Sequence, residues 1–547
     1  MKKIYTFLFV LLAFTFQAVA QYAGGIGSGA SSETTGNRYL TNIFQTDGLW
    51  NVAANWRDNV VPTTAEEATV AAQSTLDAAY VYPEVHILAS GAITIPENTS
   101  LTATDLMTNQ AGTTGLLLKD NGSLIFPNTG VNGTVERLIV PAQYHYISSP
   151  VVSTTAGDVF PPSTYLRWYD ETQPTTQWIN MVSADLLQPM HGYSAYIPTG
   201  TTTATFGGEL NAGNQSISGL TYTNNSTVNY DGYNLVGNPY PSSIDIDNAG
   251  VILSNLSGTF YFWNPSLNGG LGAYSSWVKG SSGTGNNGAT NIIPVGQGFF
   301  VKTTDANGEL SFTNQAHVHG AQPFNKSSEN NVLRLKLSQG EMSDETVIRY
   351  LPEASPQRDD AFDAIKLKNS LVNNLYTRSE DGIDLAINTY SYPGQTDEIA
   401  VTADFVTGGN YTITLSGAET VEGIYNVYLT DQLSGAKQNM RQNPVYQFSA
   451  NAGTAQDRFV LTFPDLGIDD EIVSNPGIYA IGKSIHVQLP EAAKVEVSIF
   501  ALTGQLVQYE KFSTQGDLRF ETSLKTGIYL VRVTSAGRTW NGKINIQ

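Results

Sequence analysis

Short runs in which every second residue is apolar recur along the chain, separated by Gly, Asn, Pro and Ser. Val332-Leu-Arg-Leu-Lys-Leu337 and Lys494-Val-Glu-Val-Ser-Ile-Phe500 alternate, and Gly527-Ile-Tyr-Leu-Val-Arg-Val533 is a β-branched and aromatic run. A period of two turns one face of an extended strand toward a core. Helical periodicity is nearly absent. The pattern predicts an all-β protein made of sandwiches or solenoids.

Residues 21–140 have a texture of their own. Leu49-Trp50 and Asn55-Trp56 precede Val61-Pro62, aromatic residues suited to sealing the end of a stack of strands. Short strands are predicted at Val85–Leu88, Ala92–Ile95, Leu116–Leu118, Ser123–Phe126 and Val135–Val140, and Gly91, Gly115, Gly122 and Gly133 stand just before four of them. A parallel β-solenoid has this rhythm, because each rung bends where a side chain would clash. An ordinary sandwich is the alternative, since the spacing is irregular.

Residues 141–325 read as a duplication. Tyr144-His-Tyr-Ile-Ser-Ser-Pro150 aligns with Tyr233-Asn-Leu-Val-Gly-Asn-Pro239, and Thr164-Tyr-Leu-Arg-Trp168 with Thr259-Phe-Tyr-Phe-Trp263. Trp178-Ile179 then matches Trp277-Val278, Gly192–Tyr196 matches Gly298–Lys302, and Phe206 matches Phe312. The separation widens from match to match, as when loops lengthen between fixed strands. Two related units follow, 141–215 and 225–325. Tryptophan shared by both copies points to a common core. Tyr274 lies in the Gly/Ser/Asn-rich stretch Leu267–Thr290, largely absent from the first unit, so Tyr274 with Trp277 is the candidate ligand-binding pair. At least six strands with period-two patterning predict a β-sandwich over 331–463, and 464–475, acidic at Asp469-Asp-Glu471, reads as a linker.

Composition narrows the class. The 547 residues include 28 Lys and Arg against 48 Asp and Glu, a net charge of −20, which opposes binding to nucleic acid or anionic lipid. There is no cysteine, so neither disulfides nor thiolate metal sites contribute. Neither HExxH nor GxSxG occurs, and the scattered histidines and the Asp359/Asp360/Asp363 cluster compose no catalytic set, so no catalytic residue is assigned. No cofactor is expected, with calcium at Asp245 and Asp247 the one candidate. Asp245-Ile-Asp-Asn-Ala-Gly250 half-matches an EF-hand loop, but Leu256 takes the place of the bidentate glutamate, and turn formation is the competing role.

The two ends read as addresses. Lys2 and Lys3 precede the apolar run Ile4–Phe16, and Ala18-Val-Ala20 offers a cleavage site before Gln21, the layout of a secretory signal peptide over 1–20. No other apolar stretch reaches the ~20 residues of a membrane helix, so no transmembrane segment is expected in the mature chain. At the other end, the turn glycine Gly504, the Gly527-Ile528-Tyr529 strand and the terminal Lys543-Ile544 stand in order over 476–547. This module resembles the type A C-terminal sorting domain of the Gram-negative type IX secretion system. The resemblance implies an Ig-like sorting module, recognition by the outer-membrane translocon, cleavage by its sorting peptidase, and either attachment to surface lipopolysaccharide or release. The expected function is a secreted cell-surface protein for adhesion or glycan (carbohydrate) binding; a polysaccharide-degrading enzyme or its accessory subunit is the alternative.

Overall fold

The computed structural model describes residues 42–200, 202–224, 231–280, 284–320, 331–392, 398–421, 426–463, 478–487, 493–514, 518–535 and 538–546. The signal peptide, 1–20, and the linker, 464–475, lie outside the described residues. Among those described, no helix is long and apolar enough to cross a membrane. The fold is almost entirely β.

The N-terminal region is a β-solenoid. Ile43–Phe44, Ala68–Val70, Ala79–Ile87, Ser100–Asn109 and Ser123–Ile125 stack into one parallel sheet, and the strands between them stack into another. Successive strands therefore alternate between two sheets, one of each per rung. Glycine marks the bends for lack of space: a Cβ on Gly91 would lie 2.1 Å from the Val70 carbonyl oxygen. The first rung is closed by Phe44, Trp50 and Trp56, all fully buried. Trp56 Nε1 donates to the Trp50 carbonyl at 2.8 Å, and Trp50 Nε1 donates to the Tyr82 hydroxyl at 2.8 Å, so both indole donors are satisfied inside the cap. The last rung strand, Asn132–Ile139, pairs antiparallel with Thr202–Glu209, which returns from beyond the next sheet. One hydrophobic core accordingly runs from Phe44 through to Ala212 and does not stop near residue 140.

Two four-stranded antiparallel sheets follow. The first has the order Tyr144–Ser148, Gly192–Tyr196, Tyr165–Tyr169, Trp178–Asn180; the second, Tyr233–Gly237, Gly298–Thr303, Leu256–Asn264, Ala273–Val278. Strand for strand the order is the same. Ser148 pairs with Gly192 as Gly237 pairs with Gly298, in keeping with the sequence match at those strands.

Residues 332–462 build one continuous ladder of ten strands with an eleventh, Ala364–Ile365, at its side. Its two halves face each other across a single core, as in a sandwich. The end strands, Ala436–Asn439 and Val445–Ala450, approach each other, with Gln438 Nε2 donating to the Val445 carbonyl at 3.0 Å. The C-terminal module packs a three-stranded sheet and the four-stranded sheet Leu506–Thr514, Ala493–Ala501, Gly527–Ser535, Arg538–Ile546 around Val495, Val497, Ile499, Val533 and Ile544.

Candidate functional site

A concavity of about 810 Å³ lies where the two four-stranded sheets meet the sandwich. A lobe of about 210 Å³ continues from it and shares Trp178 and Tyr274 with it. Alternation explains the lining. On Ala273–Val278, Tyr274 and Val278 turn to one side and Trp277 to the other. Tyr274 and Val278 join the core that the sheets share with Val332, Val347 and Ala386 of the sandwich, and Trp277 joins a separate core with Phe260 and Phe299. The cleft is the open rim of that shared core.

Pairing within each sheet identifies the equivalent positions. Leu166 pairs with Ala195 as Phe260 pairs with Val301, and Tyr169 pairs with Trp178 as Trp263 pairs with Tyr274. Tyr169 thus corresponds to Trp263, and Trp178 to Tyr274. The sequence match of Trp168 with Trp263 is off by one residue, which in a strand puts the two on opposite faces. Trp168 is indeed 40% exposed and outside the cleft, while Trp263 lines the lobe. Equivalent aromatic positions of the two sheets therefore converge on one space. Tyr146 is the hub: its ring lies 5.8 Å from Trp178, 5.5 Å from Phe300 and 6.4 Å from both Trp263 and Tyr274, centre to centre. Its hydroxyl shares a hydrogen bond with that of Tyr274 at 2.8 Å, and burial raises both phenols, Tyr274 to about 12, so both stay neutral donors and acceptors.

The predicted pair does not form one site. Tyr274 sits on a strand rather than in a loop, and its ring lines the cleft. Trp277 is 5% exposed, points to the opposite face, and donates its Nε1–H to Asp247 Oδ1 at 3.2 Å. The insertion read as a loop supplies a strand because Ala273–Val278 is apolar on both faces, both of which are buried.

Asp245 and Asp247 serve local structure. Asp245 Oδ1 accepts from the Asp247 amide at 3.0 Å and from Asn291 Nδ2 at 2.7 Å, while Asp247 Oδ1 also takes the Gly280 amide at 2.8 Å. The carbonyls of Ile246 and Asn248 accept from the Lys279 ammonium at 2.6 and 2.9 Å. Among the described residues one group has the ligand atoms of a metal site, Glu67, Glu84 and His86 on the solenoid; no pattern in the sequence singles it out.

The sorting residues fall into two kinds. Gly504 holds φ +81° in the turn before Leu506–Thr514, and Ile544 is buried. Ile528 and Lys543 point outward, and Tyr529 is half-buried, packing on the module's core with its hydroxyl donating to the Lys525 carbonyl at 3.0 Å.

Sequence reading missed the basic side of the cleft, because its residues lie far apart in the chain. Lys302 comes from the second sheet; Arg358, Lys368 and Arg378 come from the sandwich. Lys368 and Arg378 both pair with Asp384, at 2.9 and 3.0 Å. The Lys302 ammonium donates to the Asp231 carbonyl and stands 4.5 Å from the centre of the Tyr233 ring. The two halves of the cleft are held together by direct bonds: Thr259 Oγ1 donates to the Asp363 carbonyl at 2.8 Å, and the Ile365 amide to the Tyr261 hydroxyl at 3.1 Å.

Comparison with known proteins separates the address from the cargo. Residues 482–547 match the secretion system C-terminal sorting domain, so the chain is handled by the type IX secretion system and delivered to the outer cell surface or the extracellular space. A curated relative, the minor fimbrium subunit Mfa5 of Porphyromonas gingivalis, is 22% identical over 546 residues, an alignment covering 86% of this chain and 43% of that protein. The chain thus spans less than half the length of that relative. A solved structure, the BSP domain of a biofilm associated protein, aligns over 74% of this chain and 90% of its own at 7% identity, with a TM-score of 0.12, too low to indicate a shared fold. Residues 44–463, which hold the solenoid, both sheets, the sandwich and the cleft between them, match one family along their whole length, and the chain belongs to that family, described as a domain of unknown function (DUF8693).

Proposed function

We propose that this secreted surface protein is a non-catalytic adhesion protein that captures glycans in the cleft between the paired sheets and the sandwich. The observation that carries the reading is the convergence of Tyr169, Trp178, Trp263, Tyr274 and Phe300 on one open space. The apolar face of a sugar ring packs on an aromatic plane, and a concave site of this size suits a small ligand. A strand-borne site braced by bonds across two units is preorganised, which limits the ordering cost of binding. The likeness to a fimbrium subunit supports a place in surface attachment. Hydrolysis of a polysaccharide, the second reading, calls for two facing carboxyl groups. The lining carboxylates are Asp231 and Asp384, and Asp384 is tied up by Lys368 and Arg378, so the geometry favours capture over cleavage. We also propose that the sorting peptidase removes the C-terminal module and that surface lipopolysaccharide receives the cargo.

The test is a glycan screen of the chain from Gln21 onward, with product analysis of each incubated sugar. Binding without cleavage, weakened by Tyr274→Ala, is expected. Released oligosaccharides would make the enzyme reading primary, and a blank screen would reject glycan capture.

A further inference from the structure

The cleft carries a charge opposite to that of the chain. Five of its lining residues are basic and two are acidic, in a protein with 28 basic and 48 acidic residues. Four of the five cations have a carboxylate partner: Lys366 has Asp344, Lys368 and Arg378 share Asp384, and Arg358 has Asp360. Lys302 and Arg358 come from opposite units. Lys302, on Gly298–Thr303, is held by a backbone carbonyl rather than a carboxylate. Arg358, from the sandwich, pairs with the exposed side chain of Asp360, and its charge also acts on the Asp381 carboxylate. Burial first, and then the charge of Arg358, pull the Lys302 ammonium down to about 8, against Asp231 and Glu171, which favour its charge. Two cations that repel each other at one end of an aromatic cleft form a place for an anion. Beside them stand Trp178 and Tyr274. Trp263 lines the adjoining lobe, and its Nε1–H is buried without an acceptor among the described residues.

We propose, resting on the glycan-capture reading above, that the cleft selects acidic sugars: the carboxylate of a uronic or sialic acid residue is held by Lys302 and Arg358 while the ring packs against Trp178 and Tyr274. The aromatic walls supply affinity for the ring; the two cations supply the preference for charge.

The experiment is calorimetry on the secreted chain with oligogalacturonate, its neutral methyl ester, sialyllactose, lactose and oligoglutamate, at low and moderate salt. An acid form is expected to bind at least about tenfold tighter than its neutral counterpart, in line with a charge-assisted hydrogen bond, and to weaken with salt. Lys302→Gln is expected to bring the ratio of acid to neutral sugar affinity close to one. Arg358→Gln serves as the second variant should the first fail to fold. Equal binding of acid and neutral sugars, or a preference that survives both substitutions, would overturn the acidic-sugar assignment and leave glycan capture standing. Oligoglutamate binding as tightly as the acidic sugars would overturn the saccharide class. No sugar bound at all would overturn both readings.

Discussion

Asp344 links the stability of the sandwich to the shape of the cleft. It is 2% exposed, and each of its oxygens is used. Oδ2 accepts from the Lys366 ammonium and from the Leu375 amide at 2.6 Å; Oδ1 accepts from Asn287 Nδ2 at 2.9 Å. Asn287 Nδ2 also donates to the Tyr274 carbonyl at 2.9 Å, so one carboxylate braces a wall of the cleft through a single intermediate. Asp344→Ala would leave a buried ammonium unpaired and strip two further donors of their acceptor. Breaking a buried ion pair from one side costs about 3–5 kcal/mol, most of it the penalty for the abandoned charge. Because the chain has several cores, a single unfolding free energy is ill-defined, and hydrogen exchange read strand by strand is the suitable assay. Protection of Met342–Tyr350 and Ala364–Ile365 should fall by roughly 10²- to 4 × 10³-fold, at about 1.4 kcal/mol per decade. The double variant Asp344→Leu with Lys366→Met should regain most of the loss, since removing both charges removes the unpaired one. Protection of these strands within a factor of two of the parent in Asp344→Ala, or a double variant worse than the single, would refute the reasoning.

Three further outcomes are expected. Arg458 grips Asp431 through two parallel bonds of 2.9 and 2.8 Å and holds its carboxyl down to about 2, so this contribution is present above the ordinary carboxylate value of 3.8 and is lost as pH falls toward 2; Arg458→Met should flatten that stretch of an acid titration followed by exchange in Tyr428–Asp431. His317 and His319 face the hydroxyls of Ser242, Thr102 and Ser123 and are held neutral by burial, down to about 4 against an ordinary 6.5, so the unfolded chain takes up protons first and stability should decline from pH 6.5 toward 4; a His317→Asn, His319→Gln variant should melt with a weaker pH dependence over that range. In the sorting module Val533 is fully buried and Tyr529 only half so: Val533→Asp should unfold the module and, like deletion of 476–547, hold the protein in the periplasm, whereas Tyr529→Phe should still reach the surface, as fractionation and surface labelling would show.

The features legible in the sequence are those set by local spacing. Alternation in Val332–Leu337 and Lys494–Phe500 requires strands, and both segments are strands. Gly91 and Gly122 signalled bends because backbone atoms of the previous rung crowd their Cα positions, a constraint each glycine expresses alone. Four of the five matched segments of 141–325 fall on sheets of identical strand order, whereas Phe206 lies in the solenoid sheet and Phe312 in a separate three-stranded sheet. Sequence could not fix the register of the matched strands. Thr164–Trp168 and Thr259–Trp263 align best on tryptophan, yet the hydrogen bonds set Tyr169 against Trp263, and a shift of one residue exchanges core and cleft. The same parity separates Tyr274 from Trp277, three residues apart and on opposite faces. Lys302 and Arg358 left no local signal at all, since each is an isolated cation between unlike neighbours.

The cleft follows from the way the sheets are covered. Each four-stranded sheet has one aromatic face too large to leave in water, and each such face carries Tyr or Trp at the equivalent positions 169 and 263, and 178 and 274. Set side by side, the two faces present a broader apolar surface than the sandwich closes: Val332, Val347, Ala364, Ala386 and Ile387 seal Tyr233, Tyr261, Val278 and Phe300, and the margin around Trp178 and Tyr274 stays open. The closing unit brings its own cations to that margin. The cleft is formed by both sheets and the sandwich at once, and 44–463, which contains all three, matches one family along its whole length. The sorting module is different: its core is its own, with Ile485, Val497, Val531 and Ile546 packed on one another and no share in the cleft. The sorting module and the cleft are therefore physically separate, and substitutions at Lys302 or Tyr274 should leave export to the surface unchanged, as surface labelling of the variants would show.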